Sequence, residues 1–445
     1  MKVQRLADAL VALTLILLAA TAAHLHVTDR LRLLRLVYPV EALVAQFSIA
    51  CSARAPQWMA QALKETTVFS TAGQLAYMTP QGDLHHCTMG WQGRPLLSER
   101  VRSGSYFRLA SLTKMVTSLA YARLWPDGRP RLDARVLDYF PSDRAPADPR
   151  VADMRVEHLL RHAAGFDRHT TPDPMTMMYQ RSWCPSRLEM LYELRLDFAP
   201  GEKAVYSNLG YCLLGEIIAA EYGADFRQAA ADLLGLSRYQ LAFIDGPYLP
   251  QEVRYDFRNT GFFGEHYHRF FNFRDASAAF SLAGTAESFT RLVFDNRDLL
   301  APLFTLNPES PACQADRPGT RYCYSMEPMR KGKDGLPAFA HAGNLWGSTA
   351  FMLIDAHGGV MTWAGRGSPA EGSRDFEALK WSFYEKLDAH YRAGRGKRSS
   401  LPGCARAADR ALRYRAGQGP ASGLGSITGR VMVATGGFEP PTPAL

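Results

Sequence analysis

Three short stretches of this chain carry side chains whose types and spacing suit nucleophilic chemistry. The first is "FRLASLTKMVTSLAYARL", Phe107 to Leu124, in which Ser111 stands three residues before Lys114. Of nine lysines in the sequence, Lys114 alone has a serine at that spacing. If Ser111 opens a helix, the first-turn N–H groups lack internal partners, and the positive end of the dipole favours developing negative charge. Lys114 then lies one turn on, on the same face. A lysine desolvated there gives up its proton more readily and can activate the hydroxyl as a nucleophile. A serine cap followed by a surface lysine is the plainer alternative.

The second stretch is "GEKAVYSNLGY", which holds the chain's one Tyr-x-Asn, Tyr206 and Asn208. A phenolate near cationic charge can serve as a general base, and an amide can hold a lysine and a substrate carbonyl. The same pair read alone also fits a turn that caps the following helix. The third is "FAHAGNLWG", where His341 and Gly343 follow an apolar approach to a strand, and glycine lets a substrate backbone come close. Two rival triplets, Lys333-Asp334-Gly335 and His357-Gly358-Gly359, fall where hairpin turns are needed. His158 and His162 share the i,i+4 spacing of two metal ligands on a helix, but no catalytic glutamate adjoins them, and no metal is assigned. No Gly-x-Ser-x-Gly, Gly-x-Gly-x-x-Gly or phosphate-binding Gly-Lys-Ser/Thr loop occurs, which argues against an α/β-hydrolase and against nucleotide chemistry.

The elements that must position these groups can be read coarsely. "TVFSTAGQLAYMTPQGDLHHCTMGWQ" alternates apolar and polar residues with turn signals, as strands in hairpins do. A helix is expected from Ser111 to Leu124, another over "RVEHLLRHAAGF" stopped by Gly165, and a strongly apolar one over "NLGYCLLGEIIAAEYG" closed by Gly223. Residues 166–200 and the aromatic-rich 246–280 read as irregular and able to line a pocket. Thr285 is placed as an N-cap. Two strand-rich pieces follow, with "KDG" and "AHGG" as turns, and "DFEALKWSFYEKLDAHY" is an amphipathic helix. Strands at both ends with helices between them imply an α+β fold: a central antiparallel sheet from N- and C-terminal segments, flanking helices and an inserted helical lobe.

Composition narrows the setting. The chain has 445 residues, a net charge of +8 and 51 basic residues, 42 of them arginine. The positive charge is scattered without a base-stacking motif, so no nucleic-acid partner is expected. Lys2 and Arg5 precede an apolar run from Ala9 to Leu25, which fits a cleaved secretory signal or a retained membrane anchor. Seven cysteines suit an oxidising compartment. Cys313 and Cys323 form a candidate loop staple, Cys51 and Cys87 a candidate pair, and Cys184, Cys212 and Cys404 have no assignment. Beyond about Arg395 the chain loses periodicity and reads as a disordered tail. Its closing "GGFEPPTPAL" contains Gly-Phe-Glu-Pro, which one frame of a conserved transfer RNA arm encodes, so the tail is a candidate read-through.

Taken in order, Ser-x-x-Lys, Tyr-x-Asn and His-x-Gly resemble the serine β-lactamase and penicillin-binding-protein-like superfamily, in the branch of class C β-lactamases, D-aminopeptidases and related esterases. "FRLASLTK", "LDARVLDYFP", "RVEHLLRHAAGF", "PGEKAVYSNLGYCLLGEII", "GTAESFTRL" and "HAGN…GSTAFMLI" are each similar to the matching family segment. The resemblance implies a β-lactamase/transpeptidase-like domain over 65–395. Residues 1–25 are then the signal or anchor, 26–64 a helical lead-in and 396–445 the tail. It implies Ser111 as nucleophile, Lys114 as its activating partner and Tyr206 as base and acid. Asn208 would orient Lys114 and substrate, and His341 would support Tyr206 and a substrate carboxylate. Main-chain N–H groups of Ser111 and Asn344 would form an oxyanion hole.

The implied reaction is acylation of Ser111 and hydrolysis of an amide, peptide or ester, with no cofactor. The implied substrate is a small molecule or peptide, with a cell-wall origin open. The implied location is the periplasm, the exterior or the inner membrane. His341 in place of lysine, Ala342 in place of a hydroxyl residue and Asn344 in place of Gly or Ser all weaken contacts to a β-lactam carboxylate. A peptidase or esterase is therefore favoured over a true class C-type β-lactamase, and an inactive penicillin-binding sensor is the non-catalytic alternative. His341 would also introduce a pH sensor, with activity on anionic substrates falling as pH rises through its pKa between about 5 and 8.

Overall fold

Alternating apolar residues near both ends of the catalytic region pair into one antiparallel sheet. The structure is a computed structural model that describes residues 2–399 except 126–128, 168–169, 172–181, 260–270, 301–321, 323–324 and 371. Strands β1 (Ala50–Cys51), β2 (Ala72–Met78) and β3 (Leu84–Met89) come from the N-terminal side, and β4 (Phe107–Ala110), β5 (Ala242–Phe243) and β6 (Leu282–Gly284) form a small second sheet. Strands β7 (Glu327–Met329), β8 (Ala338–Leu345), β9 (Ser348–Asp355) and β10 (Val360–Arg366) come from the C-terminal side. The large sheet runs β1-β3-β2-β10-β9-β8-β7. N- and C-terminal segments meet where β2 pairs β10 in antiparallel register, Gly73 opposite Gly365. The rival triplets at 333–335 and 357–359 lie in the β7–β8 connection and the β9–β10 turn, outside the strands.

Every residue of β9 is buried, because both sheet faces are covered. Ala350, Met352 and Ile354 join the core shared with the helical lobe, whereas Phe351 and Leu353 join a second core with Phe383 and Leu387. That period-2 split is what a strand's side-chain alternation dictates. Two helices cover the second face: α3 (Gln57–Thr66) and the terminal helix α10 (Asp375–Ser399), which extends past the expected domain end at 395. The remaining tail, Cys404 and the proposed Cys313–Cys323 staple lie outside the described residues.

The lobe face is built around α4 (Thr113–Arg123), whose residues from Thr113 to Ala122 are all buried. It packs against α6 (Asn208–Tyr222), α7 (Phe226–Leu234) and α8 (Ser277–Phe280). Its polar side chains therefore find partners inside the protein: Thr117 donates to the Ala278 carbonyl at 2.6 Å and Ser118 to the Lys114 carbonyl at 3.0 Å. Helix α6 starts at an N-cap, Ser207, whose hydroxyl accepts the Gly210 N–H, and ends at Gly223 with φ +82°, a left-handed turn that glycine enters without steric cost. The expected helix over 155–165 is shorter: α5 covers Val156–Leu160, and His162 has φ +56°. Thr285 caps α9 (Ala286–Asp295) as expected.

Cys51 is bonded to Cys87, joining β1 to β3, and Cys184 is bonded to Cys212, pinning the segment after 181 to α6. At the N-terminus α1 (Lys2–Thr28) is long and apolar enough to cross a membrane over Gln4–Thr28, and none of that window is buried. Helix α2 (Arg30–Phe47) follows and docks on the domain through Tyr38, whose hydroxyl donates to the Thr67 carbonyl at 2.9 Å, and through an Arg258–Glu41 ion pair.

Candidate active site

Strand β4 delivers the nucleophile candidate. Ala110 adopts φ +49°, a left-handed conformation costing roughly 1–2 kcal/mol for a residue with a Cβ. It turns the chain so that Ser111 emerges at the mouth of α4, half-buried, while Leu109 and Leu112 on either side are fully buried. The Lys114 N–H donates to the Ser111 carbonyl at 3.0 Å, so Ser111 begins the first turn although regular α-helix starts at Thr113. Beneath the turn Arg108 is fully buried: its Nε donates to Glu252 at 2.6 Å and its terminal nitrogen to the Gly246 carbonyl at 2.6 Å. Tyr248, Tyr255 and Phe273 enclose the guanidinium, with ring centres 5.1 to 5.6 Å away.

The three polar clusters converge on Ser111. The Tyr206 hydroxyl donates to Ser111 Oγ at 2.6 Å. Lys114 Nζ lies 3.4 Å from the same oxygen, donates to Asn208 Oδ1 at 2.7 Å and to the Ala279 carbonyl at 2.9 Å. Those three acceptors match the three N–H bonds of an ammonium, which is how a fully buried lysine side chain is accommodated. Nζ also sits 4.6 Å from the Tyr206 ring centre. Positive charge so placed favours negative charge on the phenol oxygen. Once the phenol is deprotonated, a proton leaving Ser111 has a short path to Tyr206, with Lys114 balancing the charge. Asn208 holds Lys114 because it is the first residue of α6, fixed by the Ser207 cap.

Strand β8 closes the other side. Its approach to Ser111 depends on Gly343: a Cβ there would stand 2.5 Å from the Leu109 carbonyl, 3.0 Å from Ala110 Cβ and 3.0 Å from the Ser111 nitrogen. Contact with the main chain at Leu109–Ser111 is thus what demands glycine, where the sequence suggested room for a substrate. Asn344 Oδ1 accepts from Ser368 Oγ at 3.3 Å. Its side chain is thereby held against Ser368 near the end of β8.

His341 departs from expectation. Its ring is buried, and Nδ1 donates to the Ser325 carbonyl. Burial first, and then repulsion from the positive charge of Lys114, push its pKa down to about 3. The ring is neutral from pH 5 to 8, so the expected pH sensor is not there. Its plane lies roughly parallel to Tyr206 with centres 6.5 Å apart, so it backs the phenol as an uncharged wall.

Sequence reading missed several contributors. Arg108 and Glu252 are separated by 144 positions, and nothing in their local patterns joins them. His162 was weighed only as a metal ligand; its ring instead faces Tyr206 at 4.5 Å, while His158 accepts the Arg155 N–H on its own helix. The oxidised partner of Cys212 is Cys184, a pairing that no spacing rule supplies.

Comparison with known proteins agrees with this architecture. The Beta-lactamase family model matches residues 81–380. A putative fimbrial assembly protein FimD, serogroup D, of Dichelobacter nodosus is 31% identical over 386 residues, covering 86% of this chain and 97% of its own. Among solved structures, D-amino acid amidase from Ochrobactrum anthropi SV3, complexed with L-phenylalanine amide, superposes with TM-score 0.57 at 21% identity, covering 76% of this chain and 97% of its own. The β-lactamase/D-alanine carboxypeptidase from Yersinia pestis, complexed with citrate, superposes with TM-score 0.54 at 19% identity, covering 72% and 93%. The chain belongs to the Beta-lactamase family and is a serine hydrolase of the β-lactamase and penicillin-binding-protein-like superfamily.

Proposed function

We propose that this protein is an exported hydrolase that cleaves an amide, peptide or ester bond through an acyl-Ser111 intermediate. The observation that carries the reading is the meeting of Tyr206 Oη and Lys114 Nζ at Ser111 Oγ, 2.6 and 3.4 Å away. Acting as a phenolate, Tyr206 takes the proton of Ser111 as the serine oxygen attacks the carbonyl carbon. Lys114, held by Asn208, stabilises the negative charge that builds on the way. The main-chain N–H groups of Ser111 and Asn344 receive the carbonyl oxygen, where one such donor is worth about 10²–10³ in rate. Tyr206 then returns the proton to the leaving amine or alcohol. Water repeats the sequence and releases the acid product.

The buried, neutral His341 weighs on substrate class. It offers no cationic site for the carboxylate of a β-lactam, and Ala342 beside it has no hydroxyl. A neutral amide or ester suits this wall better, in keeping with the likeness to a D-amino acid amidase fold. An envelope location is supported by α1 and by the exposed stripe Leu36, Val40, Leu43 and Phe47 on α2, spaced as one helical face next to that apolar segment. It is also supported by the similarity to a putative fimbrial assembly protein. Two disulfides fit an oxidising compartment.

A turnover panel on the full-length protein in detergent tests the reading: D-amino-acid amides and anilides, short-chain aryl esters and a chromogenic cephalosporin. The expected order places amides and esters well above the cephalosporin, with all turnover lost in Ser111→Ala. Turnover confined to the cephalosporin would make the protein a β-lactamase. Inactivity on every class, with tight penicillin binding, would make it a sensor.

A further inference from the structure

We infer that His162 is a positioning residue that brackets Tyr206 from both sides and fixes the phenol on Ser111. The inference rests on the acyl-serine reading above and adds to it a residue that takes no part in proton transfer. Three contacts, each independent of the others, lead from His162 to the segment that carries Tyr206. The His162 main-chain carbonyl accepts the N–H of Val205 at 2.8 Å. Its Nδ1 accepts the N–H of Ser207 at 3.1 Å, within the buried interior. The ring itself lies against the Tyr206 ring with centres 4.5 Å apart and planes 31° apart. The residues immediately before and after Tyr206 are thus tied to one amino acid, which also packs on the phenol between them.

The left-handed backbone at His162 is the device that makes this possible. In helical conformation the carbonyl and the side chain of one residue point in different directions; at φ +56° the chain reverses after α5, so both reach the 205–207 segment. Such a conformation costs stability in a non-glycine residue and persists where the surroundings enforce it. Tyr211, 5.0 Å away, and Tyr322, 4.7 Å away, complete an aromatic box around the imidazole. Accepting at Nδ1 requires the tautomer with its hydrogen on Nε2, so the ring works as a neutral acceptor and a surface. A shift of about 1 Å in a catalytic group can cost about 10²-fold in rate. Relaxing the bracket should therefore lower turnover while leaving substrate affinity in place.

The test compares His162→Asn with His162→Gly in the full-length protein, using an aryl ester substrate. Both residues accept a positive φ, but only asparagine keeps an acceptor oxygen near the position of Nδ1. The glycine variant is expected to lose about 10- to 100-fold in kcat with KM within about threefold of wild type. The asparagine variant should recover most of that loss. Equal loss in the two variants at matched melting temperature would overturn the bracket, as would a glycine variant raised in KM with kcat intact. Should the glycine variant not accumulate in folded form, His162→Ala assayed by the rate of fluorophosphonate labelling in membranes takes its place, with the same two outcomes. Wild-type protein that fails to label at Ser111 would instead count against the acyl-serine reading.

Discussion

Gly343→Ala is the substitution whose consequence the geometry defines most sharply. The added methyl would stand 2.5 Å from the Leu109 carbonyl oxygen and 3.0 Å from both Ala110 Cβ and the Ser111 nitrogen. These three atoms belong to backbone or to a single methyl, so no side chain can swing away to make room. Relief requires β8 to move from the nucleophile turn by several tenths of an ångström, against a seven-stranded sheet on one side and the fully buried turn residues Leu109 and Ala110 on the other. Overpacking of this kind costs about 1–3 kcal/mol in stability. The functional loss should be larger, because the displaced atoms include the Ser111 N–H, one of the two proposed oxyanion donors. A loss of about 10²-fold in kcat is expected, close to that of removing one donor outright. Ester hydrolysis under saturating substrate, alongside thermal unfolding, reads both effects. Near-wild-type kcat at an unchanged melting temperature would refute the close approach and the shared oxyanion site with it.

Two further outcomes follow from buried groups. Arg108→Met strands Glu252 without its charged partner in a fully buried site, and a loss of about 3–5 kcal/mol is expected in chemical denaturation; a loss below about 1 kcal/mol would show that the pair is not what holds β4. His341 has a folded pKa of about 3 against an unfolded value near 6.5. The unfolded chain therefore binds the extra proton as pH falls from about 6.5 towards 3, and stability declines over that window by about 1.4 kcal/mol per unit at most. His341→Gln should flatten this dependence, measured by urea midpoints from pH 4 to 7, and an identical slope in the variant would contradict a neutral buried imidazole.

The meeting of the candidate site residues was legible in the sequence because their spacing is local: Ser111 and Lys114 lie one turn apart, and Tyr206 and Asn208 flank an N-cap serine. Their order along the chain then pointed to a known family, and the fold came with it. What stayed hidden was whatever depends on backbone sign or on distant packing. The pattern "LLRHAAGF" reads as helix through the stretch where His162 turns left-handed, since nothing but glycine or asparagine announces such a turn. His341 was assigned a charge because a histidine's type does not reveal its burial; the strand pairing of β8 between β7 and β9 decides that. Gly343 was recognised as necessary, but the partner it makes room for, the main chain at Leu109–Ser111, comes from the other end of the fold.

The most direct measurement is the site of covalent modification when the full-length protein meets a fluorophosphonate and, separately, a labelled penicillin. Peptide mapping should find the fluorophosphonate adduct on Ser111, absent from Ser111→Ala and formed at least about 10²-fold more slowly in Lys114→Met and Tyr206→Phe. Modification of another residue, or labelling at wild-type rate once the Lys114 amine and the Tyr206 hydroxyl are gone, would contradict a nucleophile activated by these two groups.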